Sequence, residues 1–347
     1  MLLYVKVAET VAKHFREGHQ ALIRHTTDFT KDCNGKVTQV VLNGANSYIV
    51  FKALQTSAGD PDTDFSRIMV IGSVNPEGGV MPDAITYDPE KWFNYTQIFR
   101  TPLSITRTAM KTRLRTGDQY QQAKAEALEM HSVEMERAML FGYPTEKIGK
   151  NGQPERTTMG MIPFITGIDS AAFAGYPSYG TNKGIVGYYP TDKAGTTWLN
   201  GGIDWIEEKL EQLFRYGGPT RTAFTANKTL MYIGQLIKNT STYSIESGEN
   251  EYGMKVKKWM TPYGDVDMIT HPLFNLEPTL QQSMLLFEPD KLIYRYIDDT
   301  DFYGDDLKQN TGRGRIDGKD EEWLTEAGLE FHHPISAGFI TGFGIDG

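Results

Sequence analysis

The sequence predicts an α+β fold, in which helices and strands alternate without strand–helix–strand regularity, and three observations carry that prediction. A long helical stretch follows Gly117; short β-rich runs bounded by Gly, Pro, Asn and Asp lie on either side of it; and a cleanly alternating strand closes the pattern at 322–331. The chain has 347 residues, 39% of them hydrophobic, which is enough for a sizeable core in one large or two intimate domains. Its 35 glycines and 16 prolines are scattered and not blocked together, as many short strands and turns require. No internal repeat interrupts this reading.

Residues 1–35 read as an arm: a weakly amphipathic stretch with Val7, Val11 and Phe15, then a polar passage from Asp28 to Gly35. Arms of this kind take their order from a partner. From 36 to 116 the runs 37–42, 47–54 and 67–71 are β-rich, with breakers at Asn75-Pro-Glu-Gly-Gly79 and Pro82-Asp83. Two more strands, 96–99 and 103–109, flank Pro102, which lacks an amide donor and so belongs at an edge or a bend. The expectation is an extended ribbon with little core of its own.

The helix after Gly117 starts at Asp118, placed to accept from first-turn amides while Gln121 reaches back, and it stops at Gly142 ahead of Pro144. Roughly 24 residues at ~1.5 Å each make a rod of about 36 Å. Its apolar stripe is Tyr120, Ala123, Ala127, Met130, Met135, Ala138 and Phe141, with Leu128 and Met139 on the shoulder. Glu126, Glu129 and Glu136 lie opposite, while Lys124 and Glu134 intrude on the apolar edge.

A glycine- and tyrosine-rich connection over 143–195 leads to a second helix with Ile203, Ile206, Leu210 and Leu213 on one face, ended by Gly217-Gly218-Pro219. A strand at 221–226 and a helix at 229–238 follow. The runs 255–260 and 266–270 flank Pro262-Tyr263-Gly264-Asp265 as a hairpin, and 284–287 and 292–297 flank Glu288-Pro289-Asp290 in the same way. In the last strand Trp323, Thr325, Ala327, Leu329 and Phe331 share one face, and Glu322, Glu326 and Glu330 the other.

Composition excludes several classes of function. With 35 basic against 44 acidic residues the net charge is −9, which argues against a protein whose main work is gripping nucleic-acid backbone. The first ten residues lack signal-peptide character, and no run reaches the ~18 apolar residues of a membrane span, so neither secretion nor a membrane partner is expected. Cys33 is the only cysteine, so no intrachain disulfide and no zinc or iron–sulfur spacing exists, in keeping with synthesis in a reducing cytoplasm. Asn-x-Ser/Thr triplets at Asn94, Asn227 and Asn239 read as chance.

No motif supports a catalytic, cofactor-binding or metal-binding assignment. Gly175-Tyr-Pro-Ser178-Tyr-Gly180 nears a nucleophile elbow, but its first glycine is one residue too far from the serine, so it reads as a surface turn. Gly338, Gly342 and Gly344 have no following helix to aim amides at a phosphate and read as turn glycines. Asp298, Asp299, Asp301, Asp305 and Asp306 lack calcium-loop spacing and read as a solvated acidic loop. His131 and Glu134, one turn apart, read as a helix-surface polar pair in place of two metal ligands, and His332 and His333 as strand neighbours pointing to opposite faces.

Several segments carry a resemblance. Asn94-Tyr-Thr-Gln-Ile-Phe-Arg100, Ser104-Ile-Thr-Arg-Thr108, Gly117 and the helix through Met135-Glu-Arg-Ala-Met-Leu-Phe-Gly142 resemble a recurring passage of tailed-phage major capsid proteins of the SU10 type. Tyr263-Gly-Asp-Val-Asp-Met-Ile-Thr270, Phe287-Glu-Pro-Asp290, Lys308-Gln-Asn-Thr-Gly312 and Glu326-Ala-Gly-Leu329 are similar to later parts of that family, so the likeness runs from about Asn94 to Phe343. It implies the Hong Kong 97-like capsid fold: an N-terminal arm (1–35), an extended loop (36–116), a peripheral domain on a spine helix (117–200 and 308–347) and an axial domain (201–307).

It also implies a subunit of an icosahedral head that encloses double-stranded DNA, self-assembling as hexamers and pentamers, without catalysis. Portal, scaffolding or decoration proteins are candidate partners on this reading, and packaged DNA one of weak, non-specific contact. An encapsulin-type nanocompartment shell and a soluble hydrolase are the alternatives.

Arg107, Lys111, Arg113 and Arg115 recur at even spacing just ahead of the long helix and project from one face of an extended strand. Three readings stay open: a solvated charged face, a seam of ion pairs against an acidic neighbour such as the Glu322, Glu326, Glu330 row, or contact with DNA.

Overall fold

The computed structural model describes residues 2–56, 65–86, 93–112, 117–167, 183–239, 245–249, 255–304 and 318–347. They fall into two compact units, Met1–Glu90 and Lys91–Gly347.

The first unit is a five-stranded antiparallel sheet. It comprises β1 (Leu2–Lys6), a single helical turn α1 (Glu9–Ala12), β2 (His19–His25), β3 (Cys33–Val41), β4 (Tyr48–Thr56) and β5 (Phe65–Ser73), in the order β1-β4-β3-β2-β5. Inward positions recur every second residue, as Ala21 and Ile23 on β2 and Ile49 and Phe51 on β4. With Phe15, Cys33 and Val37 they close one core.

A ribbon with little core of its own is therefore not what forms. The segment expected as a separate arm supplies two of the strands, and the segment after it supplies the other three. The reason lies in pairing: each strand contributes only one to three inward apolar residues, too few to be noticed singly, and antiparallel stacking pools them. At Gly35 any Cβ would lie 2.4 Å from the Lys52 carbonyl oxygen and 2.6 Å from the Phe51 ring, so glycine is required there.

The second unit opens with β6 (Gln97–Thr106), α2 (Arg107–Lys111) and the long α3 (Gln119–Phe141). The glycine-rich connection folds into β7 (Thr145–Ile148), β8 (Pro154–Thr157), α4 (Met161–Thr166), β9 (Ile185–Tyr188) and α5 (Tyr189–Asp192), followed by α6 (Trp198–Phe214). Next come β10 (Thr220–Thr225), α7 (Asn227–Asn239), β11 (Ile245–Glu249), β12 (Lys255–Thr261), β13 (Gly264–Thr270), α8 (Pro272–Leu276) and β14 (Ser283–Phe287). β15 (Leu292–Tyr303), β16 (Gly318–Phe331) and β17 (Gly338–Thr341) complete it. Mixed helices and sheets make the class α+β, as expected.

Seven strands form a mixed sheet in the order β11-β12-β13-β10-β14-β17-β9. β14 is buried along its whole length: Met284 and Leu286 join Trp205, Ile206, Leu210, Leu213 and Ile233 of α6 and α7, while Leu285 and Phe287 join Phe164, Phe274 and Leu329. Helices thus cover both faces, and a continuous apolar run is what such a strand needs. The β12–β13 hairpin turns through Pro262 and Tyr263 as expected. The turn at Glu288 is different: β14 stays in the seven-stranded sheet and β15 joins the other sheet, so the expected hairpin becomes a crossover between sheets. The cause is burial, since β14 is buried throughout and β15 is largely exposed.

The three-stranded sheet, β15-β16-β6, carries α3 on one face. β6 is one continuous strand through Pro102, where two were expected, and it lies at the sheet edge, where the missing amide costs no ladder bond. α3 begins where predicted, with the Asp118 carboxylate accepting from the Tyr120 amide at 3.0 Å. Its stripe differs. His131 and Leu140 are buried with Ala127, whereas Met130 and Phe141 are 58% and 42% exposed. The helix meets the sheet along a line through Ala127 and His131, one i,i+4 step, and a polar residue on that line is invisible to hydrophobic patterning.

Candidate functional site

For a chain without a catalytic motif the candidate site is its contact surface, and the predicted residues fall on two elements. Arg107 and Lys111 do not lie on an extended strand: Thr106 caps the short α2, its hydroxyl accepting from the Ala109 amide at 3.3 Å, and the two side chains are exposed a helical turn apart. Arg113 and Arg115 lie outside the described residues.

Glu322, Glu326 and Glu330 line the face of β16 away from α3, as the alternation predicts, and each has a partner inside its own chain. Arg100 of β6 forks onto Glu322, its Nε donating at 2.9 Å. Glu326 accepts from the Thr96 hydroxyl at 3.2 Å. Glu330 accepts from Arg295 Nε at 2.5 Å and lies 2.8 Å from His332 Nε2, contacts that hold its carboxyl below the ordinary carboxylate range.

His131 is not a surface residue. It is fully buried, with Nδ1 3.0 Å from the Thr101 hydroxyl and Nε2 2.8 Å from the Thr325 hydroxyl, which in turn lies 2.8 Å from the Thr300 hydroxyl. This chain of bonds threads β6, α3, β16 and β15. A neutral imidazole offers one donor and one acceptor, which two threonines match without an uncompensated charge. Burial pulls the His131 pKa below its ordinary value, against a smaller upward pull from Glu134.

Other sequence candidates resolve as follows. Asp298, Asp299 and Asp301 belong to the irregularly paired strand β15 and not to a loop; Asp305 and Asp306 lie outside the described residues. His333 lies past the end of β16 in the left-handed region, φ 50°, so it and His332 are not strand neighbours. Gly342 and Gly344 have φ 88° and 75°, the turn role expected of them, whereas Gly338 opens β17. The Gly175 to Gly180 segment lies outside the described residues. Among the described residues no group of three or more His, Cys, Asp or Glu side chains is placed to hold a metal, and no helix is long and apolar enough to cross a membrane.

Sequence reading missed two polar centres. The Asn94 amide donates to the Thr158 hydroxyl and to the carbonyls of Met159 and Leu329 at 2.8 to 3.2 Å, and its oxygen accepts from the Tyr95 and Met159 amides. An Asn at the head of the resembling segment was the available signal. Arg221 is fully buried and donates to Glu288 at 2.6 Å and to the carbonyls of Gly218, Tyr216 and Ser336. Nothing local announced that pair, whose members are 67 residues apart.

The chain matches the family described as SU10 major capsid protein over residues 23–344. It belongs to that family, and so is a major capsid protein, a structural protein in kind. A curated relative, the major capsid protein of Pseudomonas phage PaMx41, is 22% identical over 294 residues, spanning 80% of this chain. The chain spans only 66% of that relative's length. Among solved structures, the SrpI encapsulin complex of Synechococcus elongatus PCC 7942 is 9% identical with a TM-score of 0.46, over 72% of this chain and 74% of that one. The mature capsid of bacteriophage PhiM1 is 10% identical with a TM-score of 0.44, over 79% and 78%. These overlaps are loose, and the assignment rests on the family match.

Proposed function

We propose that this chain builds the head of a tailed phage: copies join as hexamers and pentamers and close into an icosahedral shell around double-stranded DNA, after synthesis in the host cytoplasm. The family match over 23–344 carries this reading, and it favours a phage head over a nanocompartment or a hydrolase. The 117–200 and 308–347 segments serve as the peripheral domain and 201–307 as the axial domain. The first unit supports self-assembly through what it leaves bare: β5 is an edge strand with Met69, Val70 and Ile71 exposed on both its faces, and Val80 and Met81 are 95% and 86% exposed. Such apolar surface gains about 25 cal/mol per Å² once another copy covers it.

Arg107, Lys111, Arg113 and Arg115 form the basic side of an inter-subunit seam. Because Glu322 and Glu330 are already paired within the chain, an acidic neighbour would have to share them. The net charge of −9 keeps the contact with packaged DNA weak. Negative-stain microscopy of the expressed full chain tests the central reading: closed particles are expected, and a monodisperse monomer at high concentration contradicts it. The double variant Arg113→Glu, Arg115→Glu is expected to stay folded and fail to assemble, and normal shells from it remove the seam. Nanomolar binding of capsomers to DNA at physiological salt contradicts the weak-contact reading.

A further inference from the structure

Beside the C-terminal end of α3 lies an open groove of about 820 Å³ that no part of the family assignment explains. One wall is α3 with Arg137 and Phe141; the other is the turn of α8 and the residues after it, with Leu273, Leu276, Glu277 and Leu280. The walls are held together by His271, the N-cap of α8, whose Nε2 lies 2.8 Å from the Glu136 carboxylate on α3. The spacing of the groove is therefore built in and not a product of side-chain drift.

Its floor and lips are apolar and its rims are charged. Leu276 is 75% exposed and Phe141 42%, an unusual exposure for two large apolar side chains facing one opening. Arg137 makes no ion pair among the described residues, and the Glu277 carboxylate accepts from the Thr279 hydroxyl at 3.2 Å. One patch thus carries a cation on one rim, an anion on the other, and apolar surface between. A patch of that kind is complementary to itself: rotated by a two-fold axis, each cation meets the other copy's anion and the apolar centres meet each other. A head-to-tail contact would instead place the complementary charge on a different surface.

We propose that this groove is a two-fold contact between copies of the chain, in which Arg137 of each copy pairs with Glu277 of the other across an apolar centre of Phe141 and Leu276. The inference rests on the self-assembly proposed above and names one surface through which it runs.

Charge reversal in the full chain tests it. R137E sets glutamate against glutamate at each seam and E277R sets arginine against arginine, so each variant alone is expected to lose at least tenfold in particle yield, scored by sedimentation and negative-stain microscopy. In a one-to-one mixture the glutamate introduced in one variant faces the arginine introduced in the other, and the native Arg137 of the second faces the native Glu277 of the first. Every mixed contact then carries two opposite-charge pairs, so particles are expected to return. That rescue shows both variants to be folded, and an ion pair within one chain cannot produce it. Wild-type yield from either single variant, or loss in both without rescue on mixing, overturns the proposal. Failure of the wild-type chain to form particles would instead count against the assembly reading on which it rests.

Discussion

The two units bury their sheets in different ways. In the second, the seven-stranded sheet is covered on both faces, so that β14 is buried end to end, and the Arg221 guanidinium enters the interior with Glu288 as its partner. In the first, a five-stranded sheet closes one core around Ile23, Ile49 and Phe51 and leaves β5 at its edge with apolar residues exposed on either side. The difference teaches where each unit finds its stability. A sheet covered twice completes itself, whereas one with a bare apolar edge leaves backbone groups and apolar surface that another chain can cover.

The sharpest break of the first kind is Glu288→Ala. It strands the Arg221 guanidinium in the interior, and we expect a loss of about 4 kcal/mol, read from the urea midpoint of the second unit. A change under about 1 kcal/mol would show that water reaches Arg221. Phe51→Ala removes the largest fully buried side chain of the first core and should cost on the order of 3 kcal/mol there, while the second unit's transition stays in place. A joint shift of both transitions would show that the units do not unfold independently.

A subtler effect concerns His131. Its folded pKa is depressed below the unfolded value of about 6.5, so the unfolded chain takes up the proton first. Stability contributed by the neutral ring is full above that value and declines as pH falls below it, by at most about 1.4 kcal/mol per pH unit. His131→Gln should flatten that part of the pH profile while lowering stability at neutral pH. An unchanged profile would mean the ring is not the titrating group. The smallest effect belongs to Arg100→Ala: its pair with Glu322 is well exposed on the arginine side, and a loss below about 1 kcal/mol is expected by thermal melting of the dispersed subunit.

Much of the second unit was legible in the sequence because its signals are local. The Asp118 cap, the Ile206, Leu210, Leu213 face of α6, the Pro262-Tyr263 turn and the alternation of β16 each lie within a few residues of their cause. In the first unit the runs 37–42, 47–54 and 67–71 match β3, β4 and β5, but the shared core was not legible, because Ala21 and Ile23 mean little until β2 lies beside β3 and β5. The long helix failed in an instructive way: its sequence holds Met130 and Phe141 out as core, but the contact line runs through His131, whose partners Thr101 and Thr325 come from 30 residues before and 194 after. Of the contact surface, the outward face of β16 could be read, whereas the groove between α3 and α8 joins segments that share no local pattern.

Hydrogen exchange on β5 and the residues through Met81, compared between dispersed subunits and assembled particles, tests the central contrast most directly. Outward-facing amides of β5 are expected to exchange freely in the dispersed subunit and to become protected on assembly, while those of β14 are protected in both. Protection of β5 already in the solitary chain, or no gain on assembly, would contradict it.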